Sequence, residues 1–473
     1  MRLSLVFPAW CQAFGEFQKV AKSASTFPPL NLALVGALAE RWGWEVQLLD
    51  GEAESLDLPE LVRRIAAFSP DLIGLTATTP FFHAATAAAE EFKRQWDIPV
   101  IVGGTHATIL REKAFLPSFD YLVIGECERS FPEFLRRFAL GERSIDVPGI
   151  AHRRGGEVIY RGDAPRLENL DEAPYPARHL LPNEKYVVGT LRGKKQYTSL
   201  QMSRGCPYRC VFCANELYGK KPRRRSLENV LGELELVVEE MGIRHVNFVD
   251  DTLTAQRDFV LALCDGIQRR GLDFTFEGGT RANLWDRELA ARLVECGLIR
   301  ISFGLETADP AIRKIIRKEV PLESYVESNR INNQLGIETI NSVMLGLPGE
   351  TRESAERTVE FLCHSRDIQH ATYGIAVPYP GTELFEMAEK GEHGLKLLTH
   401  DFSRYQRYGS ATMEVNGLAP AELLRLQQEG LRRIYSCWWR IVPMLKRHGL
   451  RAILKPAASA LCGRLRLFWS SRG

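Results

Sequence analysis

The sequence contains no run approaching the ~18 consecutive apolar residues of a membrane span, and its opening MRLSLVFPAW is too short and too aromatic for a signal peptide. The chain is therefore expected in the cytoplasm. Net charge is scarce as well, at +2 over 473 residues, so the whole-chain balance predicts no strong electrostatic partner. There is no repeat of fixed period and no low-complexity stretch. No GxGxxG turn follows the first apolar strand, which argues against a dinucleotide site. With 45% hydrophobic and 25% charged residues the composition is that of an ordinary soluble multi-domain enzyme.

What is present is alternation. Residues 1–140 switch between short apolar runs (LSLVF, VQLLD, LIGLTAT, VIVGG, YLVIG) and amphipathic stretches such as LPELVRRIAAF. Continuous apolar strands joined by helices predict a Rossmann-like parallel sheet covered on both faces, which binds ligands at the carboxyl ends of its strands. Those ends are built from small residues: TATT at 76–79, GGTHAT at 103–108 and GECE at 125–128. Small residues let a flat or bulky ligand approach the backbone, although glycine there is also ordinary turn chemistry.

Residues 141–194 read as a hairpin around Gly155 and Gly156 followed by a proline-rich linker. Alternation resumes over residues 195–400, where six strands with intervening helices predict a partial parallel barrel of the TIM type, its chemistry on the carboxyl-end loops. Residues 401–473 read as a helical C-terminal region. From 421 onward it holds eleven lysines and arginines against two acidic residues.

Ten cysteines occur, and three of them, Cys206, Cys210 and Cys213, fall within SRGCPYRCVFCANE. A structural zinc site closes with four ligands, and neither a second CxxC nor a nearby HxxxH exists. An iron–sulfur cube held by three thiolates fits better, because it leaves one iron open to bind substrate or cofactor.

The Cx3Cx2C spacing on a loop after a first barrel strand resembles the radical S-adenosylmethionine (SAM) superfamily. The resemblance implies a 4Fe–4S cluster on the three cysteines, whose open iron chelates SAM, and reductive cleavage of SAM to a 5′-deoxyadenosyl radical. It also implies an electron donor such as flavodoxin or ferredoxin. Residue by residue, it carries over Phe212 as a flat apolar contact beside the last cysteine. Asp250 and Asp251 in FVDD would approach the methionine amino group, Arg281 in GGTRAN the methionine carboxylate, and Glu306 in SFGLET the ribose and amino group. The turn GLPGET, with Gly346 and Gly349, would lie against adenine.

A five-stranded parallel domain ahead of such a barrel resembles the cobalamin-binding domain of the class B radical methylases and the anaerobic Mg-protoporphyrin monomethyl ester cyclase group. Cobalamin is then expected against Thr76, Thr78, Gly103, Gly104, Gly125 and Glu126. The chain departs from many cobalamin domains in lacking a DxHxxG motif, and Cys127 stands where glycine is usual. His106 lies outside that motif and is expected to be a polar strand-end residue.

The implied activity is methylation of an unactivated carbon of a small, possibly hydrophobic secondary metabolite, lipid or tetrapyrrole. Relatives that cyclise or oxidise without methyl transfer, and a cobalamin- or redox-sensing binding protein, stand as alternatives. The run KKPRRR at 220–225 is expected to be a solvated face or a local phosphate contact rather than a nucleic-acid interface. Arginines mixed with Trp438, Trp439, Phe468 and Trp469 suit either a helical cap on the barrel or peripheral contact with an anionic membrane.

Overall fold

The computed structural model describes residues 1–9, 26–190, 193–214, 217–219 and 221–441. Its first sheet contains β1 (Arg2–Phe7), β2 (Glu45–Asp50), β3 (Leu72–Thr76), β4 (Val100–Gly103) and β5 (Tyr121–Val123), paired in parallel in the order 2-1-3-4-5. Helices α1 (Leu30–Arg41), α2 (Leu58–Phe68), α3 (Phe82–Gln95), α4 (Thr105–Leu110) and α5 (Ser130–Ala139) connect the strands and lead on from the last. The sheet is buried on both sides: one core gathers Leu3, Leu5, Leu32 and Phe134, the other Val6, Ile65, Ile73 and Phe92. Every residue of β3 is buried, which is why its sequence is continuously apolar rather than alternating.

The hairpin read with the linker belongs instead to this sheet. Strands β6 (Ile150–Arg154) and β7 (Glu157–Tyr160) add to its edge antiparallel, so the sheet has seven strands. The proline-rich stretch that follows is equally well fastened. Ala177 N–H donates to Ala33 O at 2.9 Å, and Tyr186 Oη donates to buried Asp50 at 2.7 Å.

The second sheet is entirely parallel and consists of β8 (Thr198–Leu200), β9 (His245–Phe248), β10 (Thr275–Thr280), β11 (Leu298–Glu306), β12 (Glu338–Leu345) and β13 (Ala371–Ile375) in chain order. Helices α6 (Leu227–Glu235), α7 (Arg257–Arg270), α8 (Arg287–Glu295), α9 (Leu322–Leu335) and α10 (Arg352–His364) cover its outer face, giving a partial TIM-type barrel with one continuous core.

The stretch after residue 400 is not wholly helical. Met413–Val415 pairs antiparallel with Leu395–Leu397 after α11 (Glu383–Lys390), and only then does α12 (Pro420–Tyr435) begin. Helix α12 packs on the barrel through Leu423, Leu426 and Ile434. Arg440 is buried behind it, its guanidinium donating to Leu362 O and Ile368 O at 2.7 and 2.8 Å. Phe468 and Trp469 lie outside the described residues. Among the described residues no helix is long and apolar enough to cross a membrane.

Buried ion pairs lock the two halves together. Glu126 and Glu128, just past β5, receive Arg204 from the barrel at 3.1 and 2.5 Å, and Arg223 donates to Glu126 at 2.9 Å. Behind them Glu233 of α6 is shared by Arg225 and by Arg178, whose Nη1 lies 2.6 Å away. The basic run is a solvated face only in part: Lys221 and Arg224 are exposed, Arg224 stacking over Phe259 at 4.0 Å, whereas Arg223 and Arg225 are spent on protein carboxylates.

Burial alone would raise the Glu126 pKa, but the guanidiniums of Arg223 and Arg204 more than reverse it and leave it below the usual carboxylate value. A carboxyl depressed in the folded state adds stability above about pH 4.3 that is lost as pH falls through the depressed value. Acidification is therefore expected to loosen the domains below about pH 4. The scattering radius of gyration should be constant from about pH 7 to 5 and rise below 4, and a flat profile to pH 3 would contradict this. Arg204→Met strands the buried Glu128 carboxylate, leaves Glu126 to Arg223 alone, and should cost about 3–5 kcal/mol, read as a lowered thermal midpoint.

Candidate functional site

The cysteine loop starts at the end of β8 and is pinned on every side. Asp250, buried after β9, accepts Ser203 Oγ at 2.5 Å and Met202 N–H at 3.2 Å. Burial raises its pKa to about 6, while those two donors pull it down. Gly205 has φ +93°, and a Cβ there would meet Gly219 O at 2.7 Å, so only glycine allows the loop to close on its neighbour. Farther along, Val211 donates to Ile316 O at 3.4 Å and receives Leu384 N–H at 2.8 Å. Phe212 packs half-buried against the barrel core.

Cys206 and Cys210 are buried, and Cys213 is exposed at the mouth. The three lie close enough that, after burial and the Asp251 charge, Cys210 and Cys206 help push the Cys213 thiol up to about 12. Neighbouring thiols become good ligands once a metal takes their protons, although among the described residues no three such side chains are drawn close enough to hold a single ion.

Around them stand the other predicted SAM contacts. Both oxygens of Asp250 are occupied by the loop, whereas Asp251 is exposed beside the cysteines. Arg281 is buried, its Nη1 3.9 Å from Cys210 Sγ and its guanidinium 3.8 Å above the Tyr208 ring. Its Nε is buried with no hydrogen-bond partner, a group waiting for a ligand.

Glu306 ends β11 with φ +64°, a left-handed conformation costly for a side chain of this kind, and the register to β12 shifts there. Its carboxylate folds back over Gly304 to within 3.6 Å of Lys318 Nζ. Such strain at a strand end is a mark of a working site.

Gly346 and Gly349 adopt φ +86° and +80°. Buried Glu350 accepts both Gly346 N–H and Leu347 N–H, holding the turn's backbone in place.

Facing this mouth is a cavity of about 500 Å³ at the switch point between β1 and β3, where the sheet order reverses. All six residues expected against cobalamin, Thr76, Thr78, Gly103, Gly104, Gly125 and Glu126, line it. Leu5, Phe7 and Pro28 add apolar wall, and Gln201, Arg204, Tyr218 and Val249 close it from the barrel side. Asn31 donates to Thr76 at 2.9 Å. At Gly104, φ is +104° and a Cβ would meet Ala77 O at 2.5 Å, so the strand-end cradle depends on glycine. Gly125, with φ +83°, opens onto empty space.

The Glu126 carboxylate, expected only as wall, is the centre of the ion-pair lock. His106 is absent from the lining. It is buried beside Phe82 with Nδ1 3.2 Å from Thr79 Oγ1, and burial lowers its pKa to about 4. Lys318 escaped notice in the sequence because its partner Glu306 is twelve positions away across a helix and a loop.

A parallel domain with a glycine-lined cleft, opening on a barrel mouth that carries three cysteines, defines a two-domain metalloenzyme class. The comparisons agree. The radical SAM superfamily model matches residues 200–362 and the B12 binding domain model residues 19–135. An uncharacterized methyltransferase of Pyrococcus horikoshii is 32% identical over 385 residues, covering 80% of this chain and 82% of the relative. The anaerobic magnesium-protoporphyrin IX monomethyl ester cyclase of Rubrivivax gelatinosus is 26% identical over 425 residues, 88% of this chain and 75% of that one.

In fold, the chain is similar to the cobalamin- and cluster-bound radical SAM methyltransferase TsrM of Kitasatospora setae, with TM-score 0.70 at 19% identity, over 92% of this chain and 88% of that one. The protein belongs to the radical SAM superfamily, in the group that carries a B12-binding domain. It is an enzyme whose cofactors are a 4Fe–4S cluster, SAM and cobalamin, and the neighbouring thiols, the orphaned Arg281 and the glycine-lined cleft fit them.

A methyl group at position 304 would press on the Glu306 carboxylate at 2.3 Å and on Lys318 Nζ at 2.8 Å. Gly304→Ala should therefore weaken SAM binding about tenfold while leaving iron content intact, measured by equilibrium dialysis and iron assay on the same sample. Iron loss in parallel would mean that the loop, rather than this pair, was disturbed.

Proposed function

We propose that the protein is a cobalamin-dependent radical methylase that places a methyl group on an unactivated carbon of a small, largely apolar molecule. The observation carrying this reading is the face-to-face arrangement of the glycine-lined cleft and the cysteine-bearing barrel mouth across one lock of ion pairs.

When bound, the reduced cluster supplies the electron that splits SAM to methionine and a 5′-deoxyadenosyl radical, and cobalamin supplies the methyl carrier. Cys206, Cys210 and Cys213 would hold the cluster. Asp251 and Glu306 would take the SAM amino group and ribose, Arg281 the methionine carboxylate, Phe212 would give an apolar contact, and the backbone at Gly346 and Gly349 would meet adenine. Asp250 acts by fixing the loop from Met202 to the first cysteine. Thr76, Thr78, Gly103, Gly104 and Gly125 wall the cobalamin cleft, while Glu126 fixes its distance from the barrel. Apolar walls and the buried lock exclude water from the space between, which protects a carbon radical from quenching.

The domains are 1–160 for cobalamin, the hairpin included in its sheet, 161–194 as connection, 195–400 for the radical core and 401–473 as C-terminal region. A flavodoxin or ferredoxin serves as electron donor, and the basic C-terminal tail from residue 421 makes peripheral contact with an anionic membrane surface. A chain ending at residue 441 keeps the packed α12 and should lose binding to anionic vesicles at low salt. Unchanged binding would leave α12 its packing role alone.

The similarity to a cyclase supports a second reading, radical cyclisation without methyl transfer. Anaerobic reconstitution with hydroxocobalamin separates the two. About four irons and one cobalt, with a deuterated methyl passing from labelled SAM to cobalamin, support the methylase. Four irons and SAM cleavage without methyl passage support the cyclase. Cys210→Ala should abolish 5′-deoxyadenosine formation, and retained cleavage would remove the cluster assignment.

A further inference from the structure

Arg407 lies in the stretch between the barrel and α12 that reads in sequence as helical tail. Its carbonyl accepts Ile375 N–H at 2.9 Å and Gln427 Nε2 at 3.2 Å, which fastens it along the free edge of β13. On β13, Tyr373 points outward against Gly430 of α12, so the next residue, Gly374, faces the barrel lumen. Arg407 fills the space that glycine leaves: a Cβ at 374 would lie 3.1 Å from its Nε and 3.3 Å from its Nη2. That Nε is buried without a hydrogen-bond partner, and among the described residues no carboxylate pairs with the guanidinium. Its charge nonetheless reaches Glu306 across the lumen.

Among the described residues three cations act on Glu306 at the mouth. Lys318 has Glu306, and Arg281, beside the cysteines, suits the single carboxylate that SAM carries. Arg407 is the one left without an anion, and an unpaired cationic group with a buried nitrogen is costly unless a ligand completes it.

We propose that Arg407 binds an oxyanion, a carboxylate or phosphate, borne by the substrate, so that the substrate class is an apolar molecule with one anionic group. The inference rests on the radical SAM reading of the barrel mouth. Trifluoroacetate serves as the carboxylate probe, followed by fluorine-19 line broadening on the reconstituted, SAM-loaded protein, with inorganic phosphate as competitor.

Arg407→Gln should reduce the broadening about tenfold, the worth of a lost charge-assisted contact. Gly374→Ala, which leaves Arg407 in the chain but presses on its side chain, should reduce it as well. Arg281→Gln should weaken SAM instead. Broadening that is absent in the parent protein, or unaltered in Arg407→Gln, overturns the proposal. So does a loss of SAM affinity in Arg407→Gln with broadening kept, because the anion is then the methionine carboxylate. Competent anion binding in a parent protein that cleaves no SAM would uphold the anion site and remove the radical reading.

Discussion

Everything about this site depends on a charge cluster at its edge. Glu126 and Glu128 at the end of β5 meet Arg204 and Arg223 from the barrel with little exposure to water. Taking four charged groups out of solvent is expensive, and only close pairing makes it tolerable. The geometry is correspondingly unforgiving, which is what a fixed distance between two cofactor sites demands. Glu126, Glu128 and Arg204 also line the cavity, so lock and cleft are one construction.

The barrel mouth combines rigidity and strain. Asp250 and Gly205 determine how the cysteine loop turns, and Glu350 clamps the turn at Gly346. Against that frame Glu306 is held with φ +64°, which a free chain would avoid. Glycines at 304 and 374 are less about flexibility than about room: each leaves space on the lumen face that a charged side chain from elsewhere occupies.

Much of this was legible in sequence. Strand–helix alternation announced both parallel sheets, and three cysteines in eight residues announced the centre, because these signals are local and periodic. The small residues of TATT, GGTHAT and GECE pointed to the wall of the cleft for the same reason. What misled was also local. KKPRRR reads as solvated charge until Glu126 and Glu233 are brought to it from 97 and 8 residues away. A hairpin next to prolines reads as linker until an unpaired sheet edge receives it.

The sequence by itself determined the two sheets, the cysteine cluster and the small-residue strand ends, since each is written in neighbouring residues. Only the tertiary structure decided which charges are paired and which are not. Lys318 meets Glu306, Arg204 meets Glu126, and Arg407 meets no carboxylate among the described residues. Pairing between charges depends on distance in space, and chain separation carries no record of it.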